Sequence, residues 1–139
     1  MAWQLRPARA DDLPGIRALL ASVGGDEENL QPGQFVVAQD DLGAILGCGR
    51  LKPYSDCTEL ASIAVTKGLR SAGIGRGIVT KLLEGRQGTI HLICEDDVVG
   101  FFGHFGFKLT PTAEMPLGLA PKWKHYTALA SHMNVMRRD

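Results

Sequence analysis

The sequence contains little cysteine and no arrangement of residues that is typical of a metal site. Its three cysteines are odd in number and form no C-x-x-C pair, and its four histidines lie at no ligand spacing with each other. The sequence therefore argues against a disulfide framework and a structural zinc site, and we expect no metal. Because scattered cysteines suit a reducing compartment, we also expect a cytoplasmic protein.

Net charge and long apolar runs are also absent. Lysine and arginine total 15, as do aspartate and glutamate, so the formal net charge is zero. This balance gives no support for nonspecific binding to nucleic acid or to an anionic membrane. No apolar run approaches the roughly 20 residues that span a bilayer, and the start lacks the apolar core of a signal peptide. We expect one soluble domain over residues 1–139, without nucleic-acid or membrane partners.

The chain does contain a change of pattern near its middle. Short turns connect three predicted strands over 35–39, 44–52 and 57–65, which favours an antiparallel meander. A glycine-rich loop over 68–77 then leads into helical spacing and an apolar strand over 89–94, which is typical of a βαβ unit. Together they predict an α/β (α+β) fold with a mixed sheet. The other predicted elements are strands over 3–8, 107–110 and 134–137, helices over 13–23, 78–83, 98–102 and 122–132, and a loop over 111–121.

The glycine-rich loop is suited to hold a phosphate group. It precedes a helix, where several backbone N–H groups lack intrahelical partners and the helix dipole adds partial positive charge. Glycines let the backbone approach a phosphate closely, and Arg70 and Arg76 add charge. The loop has no Gly-Lys-Ser/Thr ending and follows at least three strands, which argues against an ATP-type loop and a dinucleotide fold. The alternative is a purely structural glycine turn that connects the strand to the helix.

Two segments resemble the cofactor motif of the GNAT superfamily of N-acetyltransferases. The predicted strand that ends at Val65 is followed, after a short gap, by residues 70–75, RSAGIG. This run meets every defined position of the family pattern Gln/Arg-x-x-Gly-x-Gly/Ala. Residues 101–107, FFGHFGF, are similar to the late helix-to-strand segment of the family, and the order of elements matches nearly from end to end.

The resemblance implies a mostly antiparallel sheet with a splayed central parallel pair, flanked by helices, and acetyl-CoA as the acyl donor. In the family, backbone groups beside the splay hydrogen-bond the pantetheine arm, and amides of the glycine loop hold the pyrophosphate. The matching pantetheine positions here are Ile63, Ala64 and Val65, and the matching pyrophosphate positions are Arg70, Ser71, Ala72, Gly73, Ile74 and Gly75.

The resemblance also implies transfer of the acetyl group to a primary amine by direct attack in a ternary complex. Glu59 is the candidate general base, because a glutamate at the matching place serves this role in parts of the family. A solvated or ion-paired strand residue is the alternative.

Many members carry a tyrosine near the cofactor sulfur where this chain has Phe101 and Phe102, and Phe102 is a candidate cofactor-packing residue. Other candidate proton donors are Tyr126, Tyr54, His104, Cys94 and water.

The acceptor is less well defined. Residues 47–50, 54–56 and 59–65 resemble the small amino-acid acetyltransferases of the acetylglutamate-synthase-like and arsenic-resistance-associated branches. Such an acceptor needs a cation for its carboxylate, and Arg50 and Lys52, which alternate on one strand, are the candidates. The stretch 115–126 departs from that group. The acceptor therefore stays open between a small molecule such as an amino acid, a protein N terminus or lysine, and none at all in an acetyl-CoA sensor. The family resemblance alone suggests a homodimer.

Overall fold

In a computed structural model, the chain is described over residues 2–129 and 132–139. These residues form seven strands and four helices, with short 3-10 turns between some of them. The strands are β1 (Trp3–Pro7), β2 (Phe35–Asp40), β3 (Ile45–Pro53), β4 (Thr58–Val65), β5 (Ile90–Cys94), β6 (Lys108–Thr110) and β7 (Asn134–Arg138). The helices are α1 (Leu13–Val23), α2 (Ile74–Leu83), α3 (Val99–Gly103) and α4 (Ala120–Leu129).

The predicted fold class, a mixed and mostly antiparallel sheet with flanking helices, is confirmed. The pairs β1–β2, β2–β3, β5–β7 and β6–β7 are antiparallel, whereas β4 and β5 run parallel with Glu59 opposite His91. The predicted boundaries were wrong at two helices. Helix α2 begins at Ile74, four residues before the predicted start, and α4 begins inside the predicted loop over 111–121. The predicted helix over 122–132 also includes residues 130 and 131, which lie outside the described residues.

The chain divides into two compact units, and the first comprises residues 2–51 and 61–86. It holds β1 to β3, the last part of β4, and helices α1 and α2. Helix α1 has apolar residues at helical spacing, so Ile16 and Leu20 fall on one face and are fully buried. The hydrophobic cluster that they join also contains Phe35, Val37 and Cys48 of β2 and β3.

Helix α2 lies very close to β3, because glycine stands at both contact positions. A Cβ atom built on Gly47 would lie 2.7 Å from Cγ2 of Ile74, and one built on Gly49 would lie 2.8 Å from Cγ2 of Ile78. Side chains two residues apart on a strand share a face, so the two glycines form one shallow strip for the helix. The contact fixes the N-terminal half of α2, which begins at the end of the glycine-rich loop.

The second unit comprises residues 52–60 and those described from 87 onward. It holds the first part of β4, then β5, β7 and β6 in hydrogen-bonded order, and helices α3 and α4. Leu92 of β5 and Val135 and Met136 of β7 are buried. The expectation of a single domain over residues 1–139 stays a prediction.

We predict that Gly49→Ala destabilises the protein. The added methyl group would lie 2.5 Å from Cδ1 of Ile63 and 2.8 Å from Cγ2 of Ile78, so these packed side chains must shift. Overpacking of this kind costs about 1–3 kcal/mol, which thermal or urea unfolding would measure. Gly33→Ala is the control, because nothing lies within 4 Å of a Cβ at that position. Equal stability of the two variants would contradict the close contact.

Candidate active site

Each compact unit encloses a fully buried charged side chain. Glu59 on β4 belongs to the second unit and Arg50 on β3 to the first, and neither residue is exposed to solvent. Burying an isolated charge is costly, so each must be neutralised by its neighbours. The partners of each charge therefore decide what it can do.

Glu59 is held by a hydroxyl group and an ammonium group. The hydroxyl of Tyr54 donates to Oε1 of Glu59 at 2.7 Å, and Nζ of Lys122 donates to Oε2. The Glu59 side chain is 1% exposed, whereas that of Lys122 is 17% exposed. We name these three residues the Glu59 cluster. Its carboxylate is accordingly ion-paired, which is the alternative that sequence reasoning left open for Glu59.

Lys122 is a residue of the site that the sequence did not reveal. It lies in the first turn of α4, 63 residues after Glu59, within the stretch that departs from the known amino-acid acetyltransferase pattern. A backbone contact helps to fix this segment, because the amide of Gly118 donates to Oδ2 of Asp56 at 3.1 Å. Nothing in the local sequence distinguishes Lys122 from Lys124, which is exposed.

Arg50 is surrounded by acceptors on every side, and its side chain is 0% exposed. Its guanidinium has five N–H donors, and five acceptor atoms lie within hydrogen-bonding reach. Nε donates to Oγ of Ser62 at 2.9 Å, and the other four donors face Asn29 O, Gln34 Oε1, Glu28 O and Asp26 Oδ2 at 2.8–3.3 Å. The ring of Phe35 adds a cation–π contact at 5.2 Å. The guanidinium therefore presents no exposed surface to an acceptor's carboxylate, and the predicted acceptor-binding role of Arg50 stays a prediction.

Ser62 has an unusual backbone conformation for a residue inside a strand. Its φ is 57°, in the left-handed region, which costs a non-glycine residue about 1–2 kcal/mol. Its hydroxyl accepts from Arg50 and donates to the carbonyl of Asp26 at 2.8 Å. The irregular residue immediately precedes Ile63, Ala64 and Val65, the predicted pantetheine positions.

The glycine-rich loop ends at a left-handed glycine that caps α2. Gly73 has φ 84°, and the first helical bond runs from the amide of Gly77 to its carbonyl at 3.0 Å. The amides of Ile74 and Gly75 thus precede that bond, as expected at an anion-binding helix start. Ala72 differs, because its amide donates to the carbonyl of Leu69 at 3.1 Å. Arg70, Ser71 and Ala72 are exposed, and Ile74 is buried.

The helix starts earlier than predicted because a tertiary contact outweighs local preference. Glycines at 75 and 77 disfavour helix, and the sequence pattern therefore suggested a loop as far as Gly77. Ile74, however, lies four residues before Ile78 on the same helix face, and both are buried. The predicted phosphate cradle is thus part loop and part first helical turn.

Phe102 and Lys52, two other predicted site residues, contact aromatic side chains. Phe102 is buried and packs edge-to-face on Phe101 and Phe107, with ring centroids 5.1 and 6.2 Å away. Lys52 is partly buried, with Nζ 5.6 Å from the centroid of the Tyr54 ring. Their proposed contacts with cofactor and acceptor stay predictions.

The cysteines are poor nucleophiles. Burial raises the pKa of Cys94 to about 12, with the nearby Asp96 adding to the effect, and burial likewise raises the pKa of Cys48 to about 12. The thiolate is the reactive form, so both are inert near neutral pH. An acetyl-cysteine intermediate on Cys94 is therefore not favoured, which agrees with its predicted role as a small core residue.

Across residues 2–129 and 132–139, no group of three His, Cys, Asp or Glu side chains is arranged to hold a metal ion. None of the helices in this described part of the chain is long and apolar enough to cross a membrane.

Comparison with known proteins identifies the family. The sequence profile of the acetyltransferase (GNAT) domain matches residues 31–109, more than half of the chain. The chain belongs to this family, and the predicted membership is confirmed. An amino-acid acetyltransferase of Mycobacterium tuberculosis (strain ATCC 25618 / H37Rv) is 35% identical over 91 residues, covering 58% of this chain and 52% of the relative. The chain thus spans about half the length of this curated relative.

Solved structures show the same fold. N-acetylglutamate synthase from Neisseria gonorrhoeae, complexed with coenzyme A and N-acetyl-glutamate, is 21% identical with a TM-score of 0.75, over 99% of this chain and 35% of that chain. Rv2747 from Mycobacterium tuberculosis, in complex with CoA and NLQ, is 23% identical with a TM-score of 0.77, over 97% of this chain and 98% of that chain. Both of these fold neighbours therefore hold coenzyme A. The homodimer and the cytoplasmic location stay predictions.

Proposed function

We propose that this protein is an acetyl-CoA-dependent N-acetyltransferase that acetylates the primary amine of a small molecule, with an amino acid as the favoured acceptor. The observation that carries the acceptor is the Glu59 cluster, which places an anion and a cation side by side in a largely buried site. The cofactor assignment rests on the family, on the helix start at residues 73–75 and on the coenzyme A complexes of two fold neighbours.

In the proposed reaction Glu59 receives a proton from the acceptor. The ammonium group of the acceptor loses one proton to the Glu59 carboxylate, and the neutral amine attacks the thioester carbonyl carbon. A nitrogen–carbon bond forms, the carbon–sulfur bond breaks, and the second nitrogen proton passes to the sulfur, which leaves as the thiol of coenzyme A. Glu59 lies four residues before Ile63 on β4, the strand that carries the predicted pantetheine contacts. Backbone amides near Ile63 and Ala64 are candidate donors to the developing oxyanion.

An amino-acid acceptor fits the charges of the Glu59 cluster. An incoming ammonium group would compete with Lys122 for Glu59, and displacement of Lys122 alone would leave a cation without its carboxylate. A zwitterion resolves this, because its ammonium group pairs with Glu59 while its carboxylate pairs with Lys122. Two ion pairs then replace one, and no buried charge loses its partner. Lys122 thus takes the role that the sequence suggested for Arg50.

We predict that Gly73→Val weakens acetyl-CoA binding at least tenfold, which is about 1.4 kcal/mol. A β-branched residue cannot easily adopt φ 84°, so the capping turn and the amides of Ile74 and Gly75 that follow it would move. Gly73→Asn is the matched control, since asparagine tolerates this conformation and nothing lies within 4 Å of a Cβ there. Isothermal titration with acetyl-CoA measures both. Unchanged affinity in the valine variant would contradict the pyrophosphate site.

We predict that Glu59→Gln lowers kcat/KM by about 10²–10⁴-fold, the range for loss of a general base. Thiol release from acetyl-CoA, measured across amino acids, polyamines and peptides, gives the rate and identifies the acceptor class. Glu84→Gln is the control, because that glutamate is exposed. An unchanged rate in the Glu59 variant would remove it from the mechanism, and tight acetyl-CoA binding without turnover on any amine would instead favour a sensor.

We predict that Lys122→Met raises KM for an amino-acid acceptor about tenfold, while leaving KM for the corresponding amine without a carboxylate unchanged or lower. The ammonium group that would pair with the carboxylate is lost, and the competitor for Glu59 disappears with it. Lys124→Met, on the same helix and exposed, is the control. If KM rises equally for both acceptors, Lys122 does not contact the carboxylate.

A further inference from the structure

We propose that Arg50 is a positioning residue, which holds Ser62 in its left-handed conformation and so fixes the backbone of residues 63–65 for the cofactor. The inference rests on the proposed function for its binding readout. Its structural content rests on contacts within the first unit, and these can be tested without any ligand.

Ser62 does not adopt this conformation by preference. A serine inside a strand favours extended backbone, and a positive φ persists only where its surroundings hold it. Here the hydroxyl is fixed from two sides, by Nε of Arg50 at 2.9 Å and by the carbonyl of Asp26 at 2.8 Å. A third contact reaches the backbone of Ser62 itself, because Sγ of Cys48 lies 3.4 Å from the carbonyl oxygen of Ser62.

Arg50 is itself held in place by several partners. Two of its acceptors are the carbonyls of Glu28 and Asn29, at 2.8 and 3.0 Å, so the connection between α1 and β2 is bound to the same guanidinium. Asp26 contributes both its carboxylate, 3.3 Å from Nη2, and the carbonyl that accepts from Ser62. A buried guanidinium with all its donors engaged cannot turn without breaking several bonds at once.

Ser62 also affects the direction of the residues that follow it. A left-handed residue interrupts the regular alternation of a strand, so it resets the directions of the next amides and side chains. After it, the Ile63 side chain points toward Gly49 and the face that α2 covers, and the amide of Thr66 donates to the carbonyl of Leu46 at 2.8 Å. The amides of residues 63–65 lie between these two fixed points. Their direction therefore depends on Ser62, and through Ser62 on Arg50.

The test compares Ser62→Ala with Ser62→Gly. Both variants lose the hydroxyl and leave Nε of Arg50 without its acceptor, but glycine adopts a positive φ without strain and alanine does not. Arg50→Met removes the guanidinium itself. Gln34→Met is the control, because it removes one acceptor of Arg50 at 3.2 Å and leaves the Arg50–Ser62 bond in place.

Two measurements are made on the full-length variants. Hydrogen exchange of the ligand-free protein reports on the peptide that contains residues 63–66, and isothermal titration reports the affinity for coenzyme A. We expect faster exchange and at least fivefold weaker binding in Ser62→Ala and Arg50→Met. The exchange rate and the coenzyme A affinity of Ser62→Gly and Gln34→Met should be close to those of the unaltered protein. If Arg50→Met does not fold, the alanine and glycine variants decide the question.

The outcomes separate this inference from the proposed function. Equal behaviour of Ser62→Ala and Ser62→Gly, or exchange in both that matches the unaltered protein, overturns the positioning role even if coenzyme A binds. The expected exchange pattern without any coenzyme A binding supports the positioning role and defeats the proposed function. A rise in KM for the acceptor alone in Arg50→Met, with coenzyme A affinity unchanged, would return Arg50 to the acceptor site and overturn the inference.

Discussion

The first unit depends on one buried charge, the guanidinium of Arg50, which must find an acceptor for each of its five donors. Arginine stays protonated in proteins, so it cannot escape burial by losing its proton as a lysine can. Removing the charged partner of a buried ion pair typically costs about 3–5 kcal/mol, so Asp26, whose carboxylate lies beside the guanidinium, has little freedom. Segments from the end of α1 to β4 are constrained by the same group, including the irregular residue Ser62.

Glu59 in the second unit is neutralised in a different way. Both of its partners here are side chains, Tyr54 and Lys122. Two of the five partners of Arg50 are backbone carbonyls, which cannot move without the chain. A side-chain partner can leave and be replaced, and Lys122 retains some exposure to solvent. A buried ion pair is by itself weak evidence for stability, so its placement calls for another explanation. The proposed exchange of partners with a zwitterionic acceptor would provide one.

The sequence predicted the features that are encoded locally. The glycine-rich loop, the succession of strands along the chain and the buried β5 could be identified because their signals lie within about ten residues of each other. Arg50 was placed on the correct strand, but alternation along β3 specifies only a face and not what covers it. The covering acceptors lie 12 to 24 residues away, so only the folded chain brings them together. Lys122 is more distant still from Glu59, at 63 residues.

This difference in range bears on where acceptor specificity is encoded. The family profile covers residues 31–109, so it includes Glu59, Ser62 and the loop but ends before Lys122. The stretch 115–126 is also where the sequence departs from the amino-acid acetyltransferase pattern, and it is the segment that supplies the cation beside Glu59. Binding of the acyl donor would then depend on the part shared with the family. Choice of the acceptor would depend on α4, where a change of one residue alters the charge opposite a buried carboxylate without disturbing the cofactor loop.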